Sequence, residues 1–228
     1  VKPKIICAVD NPDFGYSYSL VSSILEYVHV IKLGLEFFSS CGVTGIEKVA
    51  ALGLPIFLDL KLHDIPNTVA RTISVIKQME CIKFLTVHIT GGTEMLMAAK
   101  EALQDTGILL IGVSVLTSLV QKDLENNGVE IPLPEYVKKL SVFAKKCGLD
   151  GVVCSNQEAH MVRQVCGKEF TIITPGIVSA YSDDQKRVSQ ISALKNSVSD
   201  YIVIGRAITR ASDPVKATKE IISSLTNK

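Results

Sequence analysis

Eight short runs of apolar, β-prone residues, separated by stretches of helical spacing, restrict this chain to very few architectures. The runs lie at 5–9, 30–33, 56–60, 84–88, 109–115, 151–154, 171–173 and 201–204. Each is apolar nearly throughout, with no in/out alternation, as expected for a strand buried on both faces of a parallel sheet covered by helices. Helical spacing is read at 18–28, 69–79, 95–103, 134–147, 157–165 and 214–225. Eight strand–helix units with no segment left over predict an α/β fold of the closed (β/α)8, TIM-barrel type. A length of 228 residues suits one such barrel, so a single domain is expected over residues 1–228. No GxGxxG follows the first run, which argues against an open dinucleotide-binding sheet.

Bulk charge narrows the partners. Lys and Arg total 24 against 23 Asp and Glu, so no global field recruits nucleic acid or an anionic membrane. No apolar run reaches the 18 or so residues needed to span a bilayer. The opening Val1-Lys2-Pro3-Lys4 leads straight into a strand and lacks the look of a signal peptide. The six cysteines form no CxxC pair, and several sit in apolar runs. Small buried hydrophobes in a reducing compartment are therefore expected over a disulfide or zinc framework, and with them a cytoplasmic address.

Chemistry concentrates at strand ends. The third run leads into Asp59-Leu60-Lys61-Leu62-His63-Asp64-Ile65-Pro66-Asn67-Thr68. Residues two apart in a strand share a face, so Asp59 and Lys61 should both point into the barrel mouth. Charges directly after a buried strand are costly unless they pair or do chemistry. They are either a salt-bridged strand end bracing the rim or a reactive group. Pro66 ends the extended run, and Asn67 or Thr68 is the expected cap of the next helix. Lys32, lone in an apolar strand, needs a carboxylate; Asp10 and Asp59, on neighbouring strands, are its natural partners. His88, ending the fourth run, reads as a hydrogen-bonded barrel histidine. After runs seven and eight come Pro175-Gly176 and Gly205-Arg206. Barrels often hold phosphate there: glycine admits close backbone approach and arginine offers a planar fork of donors. A turn with a surface arginine is the alternative. Two irregular stretches, 117–133 and 175–184, both follow strands and should lie on the functional face.

Taken in order, these segments resemble the orotidine 5′-monophosphate decarboxylase family, bacterial type. The resemblance rests on Asp59-x-Lys61-x-x-Asp64-x-Pro66-Asn67-Thr68. It is supported by Ala8-Val9-Asp10, Ile31-Lys32-Leu33-Gly34, Val115-Leu116-Thr117-Ser118, Thr174-Pro175-Gly176-Ile177, Asp184-Gln185-Lys186-Arg187 and Val203-Ile204-Gly205-Arg206. It implies a carboxy-lyase that turns orotidine 5′-monophosphate into UMP, the last step of de novo pyrimidine nucleotide synthesis, without metal, pyridoxal or thiamine cofactor. It further implies that Lys61 donates a proton to C6, that Asp59 lies near the departing carboxylate, and that Asp10 and Lys32 contact the ribose. Thr117 would bind the pyrimidine, and Gln185, Gly205 and Arg206 the 5′-phosphate, with Pro175, Asn67 and Thr68 also at the substrate. Asp64 would enter the partner's site of a homodimer, and the loop after Pro175 would act as a lid. Val178 departs from the pattern, which has Arg there; one cationic contact should be missing or supplied from elsewhere. Related barrels on the same Asp-x-Lys-x-x-Asp core, 3-keto-gulonate-6-phosphate decarboxylase and hexulose-6-phosphate synthase, work through a magnesium-stabilised enediolate and are the nearest alternative. A non-catalytic phosphate-ligand-binding barrel is a further one.

Overall fold

A computed structural model describes residues 2–178, 189–190, 194 and 197–226. Eight parallel strands close into a barrel: β1 (Lys4–Ala8), β2 (Val30–Gly34), β3 (Ile56–Leu62), β4 (Ile82–His88), β5 (Leu109–Val113), β6 (Gly151–Val153), β7 (Thr171–Val178) and β9 (Tyr201–Ile204). Sequential neighbours pair, and β9 lies between β7 and β1, which completes the ring. A two-residue strand, β8 (Ser189–Gln190), adds to the mouth end of β7. Helices α1 (Phe14–Ile24), α2 (Leu35–Ala50), α3 (Pro66–Ile76), α4 (Gly92–Ala102), α6 (Leu133–Lys146), α7 (Asn156–Cys166) and α9 (Pro214–Thr226) intervene. The short α5 (Gln121–Asn126) and α8 (Arg206–Thr209) follow β5 and β9.

The strands are apolar on both faces because each face meets a different core. Outward residues such as Leu33, Leu58 and Leu85 pack under the helices. Inward residues Ile6, Val30, Phe57, Phe84, Ile111 and Tyr201 fill the barrel. Phe84 stacks edge-on with both Phe57 and Tyr201, ring centroids 5.6 and 5.0 Å apart, and these rings plug the barrel below its mouth. Local signals set the helix starts. The Asp13 carboxylate accepts the Tyr16 N–H at 3.0 Å to cap α1, and Ser155 with Glu158 forms a capping box on α7.

Several sequence expectations need correction. The helix α2 goes unread in the spacing pattern, because Gly42 and Gly45 interrupt its apolar stripe; the helix kinks at Gly42, where φ is +60°. The stretch 117–133 is not wholly irregular, since it holds α5. Pro175 and Gly176 belong to β7, not to a loop. Pro66 opens α3 with Ile65 as its cap, so neither Asn67 nor Thr68 caps that helix. All six cysteines are free. Among the described residues, no helix is long and apolar enough to cross a membrane.

At the closed end, opposite the mouth, two carboxylates staple adjacent strands. Asp150 accepts the Leu110 N–H at 2.8 Å and pairs with Lys100. Asp200 accepts the Ile172 N–H at 2.7 Å and pairs with Arg163, whose guanidinium also donates to the Phe170 and Val198 carbonyls. Removing the Asp200 carboxylate strands the Ile172 N–H and takes the ion pair from Arg163, which keeps its carbonyl acceptors, a loss of about 2 kcal/mol. Asp200→Ala should therefore lower the melting temperature by roughly 4–8 °C, given about 2–4 °C per kcal/mol at this size. A shift under 1 °C in thermal unfolding followed by circular dichroism would show that the staple contributes nothing.

Candidate active site

A cavity of about 820 Å³ opens where the strands end. It is lined by Asp10, Lys32, Asp59, Lys61, Thr117 and Arg206, together with Pro175 and Gly205. Its floor is Phe57, the upper ring of the aromatic plug.

Four charges run across that floor in alternation. Lys61 Nζ lies 2.9 Å from Asp59 Oδ2, Asp59 Oδ2 lies 3.3 Å from Lys32 Nζ, and Lys32 Nζ lies 2.8 Å from Asp10 Oδ2. The parallel register makes this possible: Lys32 stands beside Phe57, and Gly34 beside Asp59. Asp10 is fixed further by the Gly34 N–H, which donates to its Oδ1 at 2.7 Å. A Cβ at position 34 would sit 2.4 Å from that oxygen, so only glycine permits the approach.

Burial is graded along the row. The side chains of Lys32 and Asp59 at the centre are each 11% exposed, whereas Lys61 and Asp10 at the ends are 29% and 37% exposed. Burial alone pushes the Asp59 carboxyl up. The Lys32 and Lys61 ammoniums, with hydrogen bonds from Lys61 and Thr86, outweigh it and hold the group below the ordinary carboxylate range. Burial likewise works against a charged Lys32, but the Asp59 and Asp10 carboxylates raise it above the ordinary lysine value. On the outward face of β1, burial pushes the Cys7 thiol up to about 12, so it stays an inert core residue.

Strand β3 is not the uninterrupted strand expected of it. Leu58 pairs with Leu85 and Leu62 with Val87, so four steps on β3 match two on β4. The surplus is a bulge containing Asp59 and Lys61, and Lys61 takes a left-handed backbone with φ of +51°. The two side chains meet through this turn, not through simple two-residue alternation.

Other expected site residues lie apart. Asp64, Asn67 and Thr68 are exposed and do not line the main cavity. Asp64 borders a second, open depression with His63, Ile65, Pro66, Thr90 and Gly91, and its Oδ1 accepts the Ile65 N–H at 2.7 Å. His88 is half-buried against His63, ring centroids 5.5 Å apart, and no side-chain hydrogen bond of His88 is found among the described residues, contrary to expectation. Burial, His63 and Lys61 all lower its pKa. Gln185, with Lys186 and Arg187, falls outside the described residues, as does the side chain of Val178. Among the described residues, no three His, Cys, Asp or Glu side chains gather as a metal site would need.

Sequence reasoning missed Tyr16, Asn11, Glu36 and Arg210, which also line the cavity. Tyr16 donates its phenol hydrogen to the Thr209 carbonyl and ties α1 to α8. Arg210 lies four residues after Arg206, a helical spacing that could have linked the pair; the others carry no sequence signal.

A closed parallel barrel with an alternating Lys–Asp row at its mouth and an arginine after its last strand defines a class: barrel enzymes acting on small phosphorylated substrates. Comparison with known proteins is more specific. The sequence model of the Orotidine 5'-phosphate decarboxylase / HUMPS family matches residues 3–221, and the chain belongs to that family. The orotidine 5'-phosphate decarboxylase of Wolbachia pipientis subsp. Culex pipiens is 50% identical over 224 residues, 98% of this chain and 99% of the relative. That of Ehrlichia canis is 45% identical, covering 97% of each chain. The crystal structure of orotidine 5'-phosphate decarboxylase from Lactobacillus acidophilus superposes with a TM-score of 0.81 at 33% identity, covering 100% of both chains.

The charged row predicts a pH signature. Because Asp59 titrates lower folded than unfolded, its contribution to stability is full above the unfolded value near 3.9 and is lost as pH falls through the folded one. Lys32 behaves oppositely: its contribution is full below about 10.4 and is lost as pH rises through the higher folded value. The urea-stability gap between wild type and Asp59→Asn should therefore shrink as pH falls from 5 to 2. A gap that stays constant over that range would contradict the assignment.

Proposed function

We propose that this chain decarboxylates orotidine 5′-monophosphate to UMP. The observation that carries the reading is the Lys61–Asp59–Lys32–Asp10 row across the cavity floor, with Gly205 and Arg206 lining the same cavity. The relatives at 50% and 45% identity, both named for this activity, support it. So does the chemistry of the row, since a site that only bound an anion would have little use for clustered carboxylates.

In this reading the 5′-phosphate lies against Gly205 and Arg206, the ribose against Asp10 and Lys32, and the pyrimidine near Thr117. Pro175 and Gln185 complete the substrate contacts. The bond from C6 to the carboxyl carbon breaks, CO2 leaves, and the electron pair remains on C6. The Lys61 ammonium then gives its proton to C6, forming the new C–H bond. A vinylic carbanion gains little from resonance, so the reaction demands the upper part of the roughly 8–23 kcal/mol that enzymes remove from barriers. An ammonium fixed by Asp59 acts chiefly as charge develops, where stabilisation accelerates the step. The remote phosphate supplies binding energy that holds the base in register with Lys61.

Asp64, Asn67 and Thr68 belong, in this reading, to the partner's site of a homodimer. Their exposed position outside their own cavity supports that assignment. A cytoplasmic location is supported by the six free cysteines.

Purified, metal-free protein should release CO2 from orotidine 5′-monophosphate, seen as falling substrate absorbance, and EDTA should leave the rate unchanged. Loss of the rate in EDTA, restored by magnesium, would favour the sugar-phosphate branch of the family. Tight binding of UMP with no turnover would favour a binding protein. Lys61→Ala should abolish turnover in a folded protein. Mixing it with Asp64→Ala should restore part of the activity once subunits exchange; no recovery after proven exchange would refute a shared site.

A further inference from the structure

Lys61 is held in an unfavourable backbone conformation that something must stabilise. A lysine in the left-handed region costs of order 1 kcal/mol against its ordinary conformations. The β3 bulge also takes the Lys61 N–H out of the regular ladder to β4. That N–H donates instead to a side chain, Thr86 Oγ1, at 2.8 Å.

Thr86 lies on β4 and is fully buried. Its Oγ1 is also 3.0 Å from Asp59 Oδ1. A hydroxyl has one hydrogen to give, an ionised carboxylate can only accept, and a backbone N–H can only donate. One polarity therefore satisfies all three groups: Lys61 N–H to Thr86 oxygen, and Thr86 O–H to Asp59 Oδ1. Asp59 Oδ2 meanwhile takes the Lys61 ammonium at 2.9 Å. The hydrogen bonds form a closed circuit that leaves Lys61 at its amide and returns to it at its side chain.

We propose that Thr86 is a positioning residue for Lys61: its hydroxyl replaces the missing ladder bond, fixes the left-handed turn, and aligns the Asp59 carboxylate that aims the ammonium. Thr86 does not line the cavity, so it acts wholly through these two residues. The inference rests on the decarboxylase reading for its kinetic consequence and on the backbone geometry for its structural one, and the two separate in experiment.

Thr86→Val keeps shape and removes the hydroxyl. It should lower kcat roughly a hundredfold, as loss of a preorganised hydrogen bond at a reacting centre commonly does. KM should stay within about threefold, because binding depends on the phosphate end of the cavity. The acid limb of the kcat/KM profile should move to higher pH, since Asp59 loses a hydrogen bond to its charged form. Thr86→Ser, which restores the hydroxyl, should return kcat to within about threefold of wild type. Amide exchange followed by NMR reads the tether without turnover: the Lys61 N–H should exchange at least tenfold faster in Thr86→Val than in wild type. If Thr86→Val does not fold, Thr86→Cys, of similar size and a far weaker hydrogen-bonding group, takes its place in each measurement. Near-wild-type kcat, unchanged Lys61 exchange, or failure of Thr86→Ser to rescue would each overturn the proposal. Should the wild type prove unable to decarboxylate orotidylate, the functional reading alone falls, and Lys61 exchange in Thr86→Val still decides whether the tether exists.

Discussion

The carboxylate of Asp59 is the point through which the mouth of this barrel is organised. It lies in a nearly dry position where an isolated ion would cost several kcal/mol, even after the protein relaxes. Three donors offset that cost: two ammoniums on Oδ2 and one hydroxyl on Oδ1. Each ammonium has a different tie. Lys32 is itself divided between Asp59 and Asp10, while Lys61 meets only Asp59 within the described part of this chain. The row of four is neutral in sum, and its most buried members occupy the centre. That leaves one ammonium, at the wetter end, with donors to spare for something in the cavity.

The barrel beneath makes those interactions strong. Phe57 is both the floor of the cavity and the top of the stacked rings that fill the interior. Water cannot reach the row from below, so the charges act through a medium of low effective dielectric. The same two strands supply plug and charge: β3 contributes Phe57 and Asp59, two residues apart on the inward face, and β2 contributes Lys32 beside them. Rigidity of the aromatic packing is thus passed directly to the charged groups, without an intervening loop.

The strands were legible because burial on both faces leaves continuous apolar runs, which few other contexts produce. Lys32 and Asp59 stood out for the converse reason: a charge in such a run must have a partner. What could not be read was whatever depends on conformation more than on composition. Thr86 looks like an ordinary β-branched strand residue, and its two hydrogen bonds exist only because β3 bulges opposite it. The left-handed turn at Lys61 has no glycine or asparagine to announce it. Helix α2 was hidden by its own glycines, and Tyr16 reaches the cavity through a contact with the chain's last strand–helix unit, nearly two hundred residues away.

The segment after the bulge follows a different logic. From Lys61 to Pro66 the chain passes from the cavity rim to the outer surface in five residues, and Pro66 at the first turn of α3 fixes where the helix begins. Asp64 falls on that descent. One of its oxygens accepts the Ile65 N–H, an orienting bond that holds the carboxylate outward, and Ile65 beside it is 66% exposed. A charge oriented by its own backbone, next to a large uncovered apolar side chain, is poorly explained by the needs of an isolated barrel. A second chain would cover the isoleucine and give the carboxylate an ammonium to meet. Under the proposed reading that ammonium is the partner subunit's Lys61, which, among the described residues, pairs with only one carboxylate of its own chain.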